Sequence, residues 1–205
     1  MTQVGFRRAI IQFLDEKLVP VVGERHVIEG KQDEGATSSF EITGISPEAI
    51  KVFGSDIPYF ISQEGVGDVA ATISLLDLPH ELDHKVLGRE KNANGVYHAG
   101  ESTRPPYCAI LFESSDLRGQ KIGTGLYAGK FGRGTVGSAS KEGTPPTPEA
   151  DQYSFAPTAK QIEGKNETVG FAHSDDEYSA LFEELFGEAP DTSGSGSDTG
   201  DATGE

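Results

Sequence analysis

Residues 107–113 (YCAILFE), 114–123 (SSDLRGQKIG) and 124–131 (TGLYAGKF) are the stretch on which the fold turns. Two apolar runs, each too short for a buried helix, flank a polar connector with glycines at 119 and 123. The simplest structure for that pattern is an antiparallel hairpin. Working outward, residues 4–14 (VGFRRAIIQFL) are rich in β-branched and aromatic side chains and predict a strand. Phe6, Arg8, Ile10 and Gln12 fall on one face and Arg7, Ala9, Ile11 and Phe13 on the other. Neither face is wholly polar, so the strand is expected to be covered on both sides, or to alternate between core and interface. Residues 69–76 (VAATISLL) alternate cleanly. Val69, Ala71, Ile73 and Leu75 form the apolar set, while Ala70, Thr72 and Ser74 are small enough to face solvent or a water-filled space. Shorter strands are predicted at 40–45 and 152–158. With 26 Gly and 11 Pro in 205 residues, punctuation is too dense for a helical bundle. The class is mainly β with some α.

Two helices are predicted. In residues 77–88 (DLPHELDHKVLG), Asp77 is a candidate N-cap, Pro79 sits in the first turn, Leu78, Leu82 and Val86 repeat at i, i+4, i+8, and Gly88 is a left-handed stop. In residues 174–187, Ser174 and Glu177 form a capping box, and Tyr178, Leu181, Phe182, Leu185 and Phe186 make an apolar stripe that ends at Gly187. That stripe is too apolar to stay in water, and it docks either on its own domain or on a neighbour. Residues 29–39 (EGKQDEGATSS) are expected to be a flexible arm and residues 138–151 an extended Pro-rich connector. Residues 188–205 contain no large apolar side chain and are expected to be disordered. The domain reading is therefore 1–173 for the β domain, 174–187 for an amphipathic helix or arm, and 188–205 for an acidic tail.

The chain has 17 Lys and Arg against 33 Asp and Glu, a net charge of −16. Ten of those carboxylates lie between residues 174 and 205, where there is no cation, so the body carries only −6. Such a balance excludes a protein that grips nucleic acid or anionic lipid through basic patches. No apolar run is long enough for a membrane span or a signal peptide, which leads us to expect a soluble, non-secreted chain. Cys108, the single cysteine, lies within an apolar run and is expected to be a small buried hydrophobe.

Two strings look chemical. His80-Glu81-Leu82-Asp83-His84 is a literal H-E-x-x-H on a predicted helix, the spacing that lets two imidazoles hold zinc while the glutamate works on its water. A third ligand is missing, because Leu87 and Glu90 occupy the places of the extended motif and only Glu101 or His98, in a glycine-rich loop, could substitute. The runner-up function on this string is a zinc-dependent hydrolase using His80, Glu81 and His84, and a surface helix that carries two histidines is the structural alternative. Gly132-Arg-Gly134-Thr-Val-Gly137 matches G-x-G-x-x-G, yet SASKEGTPPTP follows it where a dinucleotide site needs a helix. No catalytic residue, resident metal or cofactor is expected.

The order of segments resembles the major tail protein of bacteriophages with long, non-contractile tails. The resemblance rests on VGFRRAIIQFLD, on VAATISLLDLPHELDHKVLGRE followed by NGVYHAGE, on PYCAILFESSDLRGQKIGTGLYAGKFGRG, and on the Pro/Thr-rich lead into DQYSFAPTA. It implies a β-sandwich or partly closed β-barrel flanked by a short helix, with subunits in hexameric rings that stack into a tube. It implies as partners further copies of the chain, other tail proteins (distal tail, tape measure, terminator) and double-stranded DNA passing through without specific binding, but no membrane. The place would be the virion tail, assembled in the host cytoplasm. Under that resemblance His80, Glu81 and His84 inherit no catalytic role. Ala70, Thr72 and Ser74 become candidates for the lumen, with an ordinary solvent face as the alternative. Lys121, Lys130, Arg133 and Lys141 become candidate assembly contacts, with scattered solvent charge as the alternative. The stripe Tyr178, Leu181, Phe182, Leu185 and Phe186 becomes a further candidate contact.

Overall fold

The computed structural model describes residues 2–137 and 149–188. Fourteen strands and two helices follow one another as β1 (Gln3–Leu14), β2 (Pro20–Ile28), β3 (Ala36–Thr43), β4 (Ile50–Gly54), β5 (Ile57–Ser62), β6 (Ala70–Leu76), α1 (His80–Val86), β7 (Glu90–Lys91), β8 (Tyr97–His98), β9 (Tyr107–Asp116), β10 (Lys121–Gly132), β11 (Asp151–Thr158), β12 (Lys160–Ile162), β13 (Lys165–Glu167), β14 (Val169–Ala172) and α2 (Asp175–Phe186). The hairpin expected from residues 107–131 is β9–β10, and it lies at the centre of the main sheet. That antiparallel sheet runs β2-β1-β9-β10-β11-β6-β3, and β14 pairs with the first half of β10. Among the described residues no ladder closes it into a barrel. Its far ends approach instead, and the Thr37 hydroxyl donates to the Phe6 carbonyl at 2.9 Å.

Over residues 9–14 both faces of β1 are buried, as its sequence predicts, while residues 3–8 are exposed or half-buried. Ala9, Ile11 and Phe13 enter the inner core with Phe112, Leu126, Ile73 and Phe155, and α1 closes that core with Leu82, Val86 and Leu87. Ile10 and Leu14 enter a second core under α2. A bulge between Val4 and Arg8 breaks the simple alternation and turns Phe6 toward the inner core, where its ring meets Phe40 edge-on at 4.9 Å.

α2 begins and ends as predicted. Ser174 Oγ accepts from the Glu177 amide at 3.2 Å, and Gly187 stops the helix at φ 71°. The helix approaches the sheet closely because glycines floor the face beneath it. A Cβ on Gly125 would come within 2.7 Å of Leu185, and one on Gly170 within 2.5 Å of Leu181. Under the first turn, Glu113 is fully buried, and its Oε2 accepts from Arg8 Nε at 2.8 Å and Tyr178 OH at 2.7 Å. Burial first, then that hydrogen bond, push the Tyr178 phenol above its ordinary range and keep it a donor. At the other end Tyr127 OH donates to Glu184 at 2.6 Å.

Two local expectations fail. Residues 29–39 form no arm: Lys31 bridges Gly35, and β3 begins at Ala36, so the segment is a tight β2–β3 turn. Asp77 does not cap α1. It sits at φ 51°, the N-cap is Pro79 with no side-chain bond, and the helix runs only seven residues. The connector at 138–148, Lys141 included, and the tail beyond Glu188 lie outside the described residues.

Candidate assembly surface

The H-E-x-x-H string is taken up by packing. His84 stacks on Tyr97 with centroids 3.9 Å apart, and His80 meets His84 edge-on at 4.3 Å. His84 Nδ1 lies 3.3 Å from Arg89 Nη1. Arginine has no acceptor, so the imidazole must accept there and is neutral at Nδ1. Burial, reinforced by His80, holds His84 below its ordinary range. Glu81 points to solvent. Among the described residues, no third imidazole, thiol or carboxylate joins the pair in a metal-binding group. What the string builds is a clamp that holds the β7–β8 loop on α1. Asp83, at a variable position of the string, has the larger part. Its Oδ1 accepts from Tyr153 OH at 2.6 Å and from Arg133 Nη1 at 3.3 Å, while Arg89 lies 3.5 Å from Oδ2. Gly132 ends β10 and residues 133–137 are irregular, while the segment after Gly137 lies outside the described residues.

Among the described residues, Lys121 stands apart from Lys130 and Arg133. Lys121 and Arg133 flank a twelve-residue strand at opposite ends. Lys121 lies over the Tyr178 ring and Lys130 over the Tyr107 ring, at 5.6 and 4.4 Å from the centroids. Arg133 is spent on Asp83, Tyr153 and Asp151 within its own chain. Tyr178, Leu181, Phe182, Leu185 and Phe186 are all buried against the chain's own sheet, so of its two possible dockings the helix takes the one in cis.

β6 follows its predicted alternation except at Ser74. Ala71, Ile73 and Leu75 are buried, Ala70 and Thr72 are exposed, and Ser74 on their face is largely covered at 8%. The paired neighbours on that face are Ser154 and Gln152 from β11 and Ser39, Glu41 and Thr43 from β3. The outer surface of β11-β6-β3 is thus small and polar, with one carboxylate and no cation among these positions. α2 covers the outer face of the other half of the sheet.

Sequence reading passes over the most exposed apolar feature. β4 and β5 pair only with each other, in a sheet of their own. Their two-residue turn, Ser55-Asp56, has both φ values positive, at 53° and 63°, as a tight hairpin requires. Register places Ile50, Val52 and Phe60 on one face and Ile61 on the other, with Tyr59 the surplus residue at a bulge. Ile50, Val52, Phe53, Ile57, Tyr59, Phe60 and Ile61 are all exposed by half or more, Tyr59 by 80%. The chain leaves and re-enters the body through a neck where a Cβ on Gly44 would fall 1.8 Å from the Asp68 carbonyl oxygen. The signal was present in IKVF-GSD-IPYFI. It lacks the polar alternate positions by which half-buried strands are recognised.

A β-sandwich whose motifs are absorbed by packing, and which holds a two-faced apolar tongue away from its body, has the build of an assembly subunit. Residues 1–192 match the family model described as phage tail tube protein, and the chain belongs to that family. No curated protein and no solved structure gives a significant match. The protein is a structural component of a phage tail. No helix among the described residues is long and apolar enough to cross a membrane.

Proposed function

We propose that this protein is the repeating subunit of the tail tube, forming hexameric rings that stack into the conduit for double-stranded DNA. The observation that carries the reading is the β4–β5 hairpin. An isolated two-stranded hairpin is marginal in water at best, and one with apolar side chains on both faces needs partners. Further copies of the chain supply them, and free sheet edges at β2 and β3 offer continuation of the sheet around a ring. Distal tail, tape measure and terminator proteins are the partners at the tube ends. The virion tail is the destination and the host cytoplasm the place of assembly. Within the chain, 1–173 is the tube domain, 174–187 a helix that braces it, and 188–205 an acidic extension.

The small, cation-free face carrying Ala70, Thr72 and Ser74 suits a lumen. DNA has one charge per about 1.7 Å of axis, and any ring of cations would hold it. Six copies of Thr72→Arg would install such a ring. We expect tubes of that variant to form normally but to retain double-stranded DNA at low salt and release it as salt rises. Wild-type tubes should not retain it, and equal retention by both would place Thr72 off the lumen.

Negative-stain microscopy of the concentrated protein tests the assembly reading. Wild type is expected to form rings and tubes. Phe60→Asp should stay monomeric with an unchanged melting temperature, because Phe60 touches neither core. Wild-type protein that remains monomeric at millimolar concentration sinks the proposal.

A further inference from the structure

The hairpin needs a receptor, and a second apolar feature of the same chain has the complementary shape. β2 is the terminal strand of the main sheet, so its outer backbone edge is unpaired. Its pairing with β1 breaks between Gln12 and Leu14: Arg25 opposes Gln12, but Pro20 opposes Leu14, which leaves residues 21–24 as a bulge. The buried Gln12 amide holds the bulge from beneath, donating to the Val21 carbonyl at 2.7 Å and to the Phe13 carbonyl at 3.0 Å. Between the bulge and the last turn of α2 lies a groove of about 470 Å³, walled by Val19, Val21, Val22 and Phe186. Val22 is 88% exposed. Arg25 spans the groove's helix side, over the Phe182 and Phe186 rings at 5.2 and 5.1 Å and 3.4 Å from Glu188.

Resting on the self-assembly reading, we propose that this groove receives the β4–β5 hairpin of a second copy. The occupant follows from complementarity. The hairpin is a projecting apolar tongue with Lys51 on one strand and Asp56 at its tip; the groove is a concave apolar site rimmed by Glu188 and Arg25. Tongue and groove are unlike patches on one chain, so the contact is head-to-tail and propagates from copy to copy. The groove's floor is fixed by Gln12 and by α2, while the tongue is the part free to adapt. α2 then has a second purpose, because Phe186 both seals its own core and forms a wall for the neighbour.

Two exposed-site variants separate the halves. Val22→Asp spoils the groove and leaves the hairpin; Phe60→Asp spoils the hairpin and leaves the groove. A carboxylate in a dried apolar contact should raise the concentration at which tubes appear by about tenfold or more in either case. Mixed in equal amounts, the two proteins can form one productive contact, and sedimentation velocity should show a heterodimer that neither forms alone. Tubes from Val22→Asp at the wild-type concentration, with Phe60→Asp still unable to assemble, would overturn the groove while leaving hairpin-driven assembly intact. A mixture that stays monomeric overturns it as well. Failure of the wild type to assemble is the separate signature that the self-assembly reading itself is wrong.

Discussion

Glu113→Ala is expected to cost about 2–3 kcal/mol of unfolding free energy, because it takes the shared acceptor from the buried Tyr178 hydroxyl and from the half-buried Arg8 guanidinium. Glu113 is fully buried at the centre of β9, directly opposite Arg8 in the β1 register. Its Oε2 is also 2.8 Å from Arg8 Nη2, so guanidinium and Tyr178 hydroxyl converge on one oxygen. Arg7 comes within 3.5 Å of Oε1 from a mostly exposed position. Alanine leaves the Arg8 charge and the Tyr178 hydroxyl facing an apolar cavity under α2. Tyr178→Phe removes only one donor and should cost about 1 kcal/mol. Replacing Arg8 and Glu113 together with leucine should restore most of the loss, since apolar substitutes for buried pairs are often neutral or better. Urea denaturation decides the matter: a loss below about 1 kcal/mol for Glu113→Ala, at unchanged slope, would mean that the pair is solvated in the native state.

The parts of this fold that were legible in the sequence are those whose signal is local. β1, β6, β9 and β10 show themselves through composition and period, and α2 through its capping box, apolar stripe and Gly187. The family resemblance rests on β1, β6, β9 and β10 among these, together with α1 and the lead into β11, and takes nothing from α2. Tertiary pairing was not legible. Arg133 reads as a free surface cation until Asp83 and Asp151, 50 and 18 residues away, are folded against it. Glu113 reads as the polar end of a strand until Arg8 arrives from 105 residues away. The arm was sought among polar, glycine-rich residues at 29–39, where a loop in water belongs. It lies instead in the apolar residues 50–62, because an arm made for a protein partner is selected for its bound state. For the candidate site the same inversion holds: the chemical-looking histidines are packing, and the apolar residues without a core form the surface we propose for assembly.

That inversion bears on the C-terminal segment, where the second large effect is expected. Deleting residues 174–205 should prevent the chain from folding. α2 buries Tyr178, Leu181, Phe182, Leu185 and Phe186, each worth about 1.5–3 kcal/mol in transfer from water. Together they rival the whole stability of a domain, about 5–15 kcal/mol. The deletion also strips cover from Ile10, Leu111, Tyr127 and Ala172. The glycines at 125 and 170 have no side chains with which to fill the gap. The truncated chain should be insoluble, or collapse to a state that binds a hydrophobic dye and lacks a cooperative melting transition. Deleting 189–205 alone should shift the melting temperature by no more than a degree or two. It leaves Glu188 and its contact with Arg25 in place. A 1–173 fragment that melts cooperatively near the full-length temperature would contradict this and make α2 a detachable arm. If it then also failed to form tubes, the helix would be needed for the groove beside Val22 rather than for the fold.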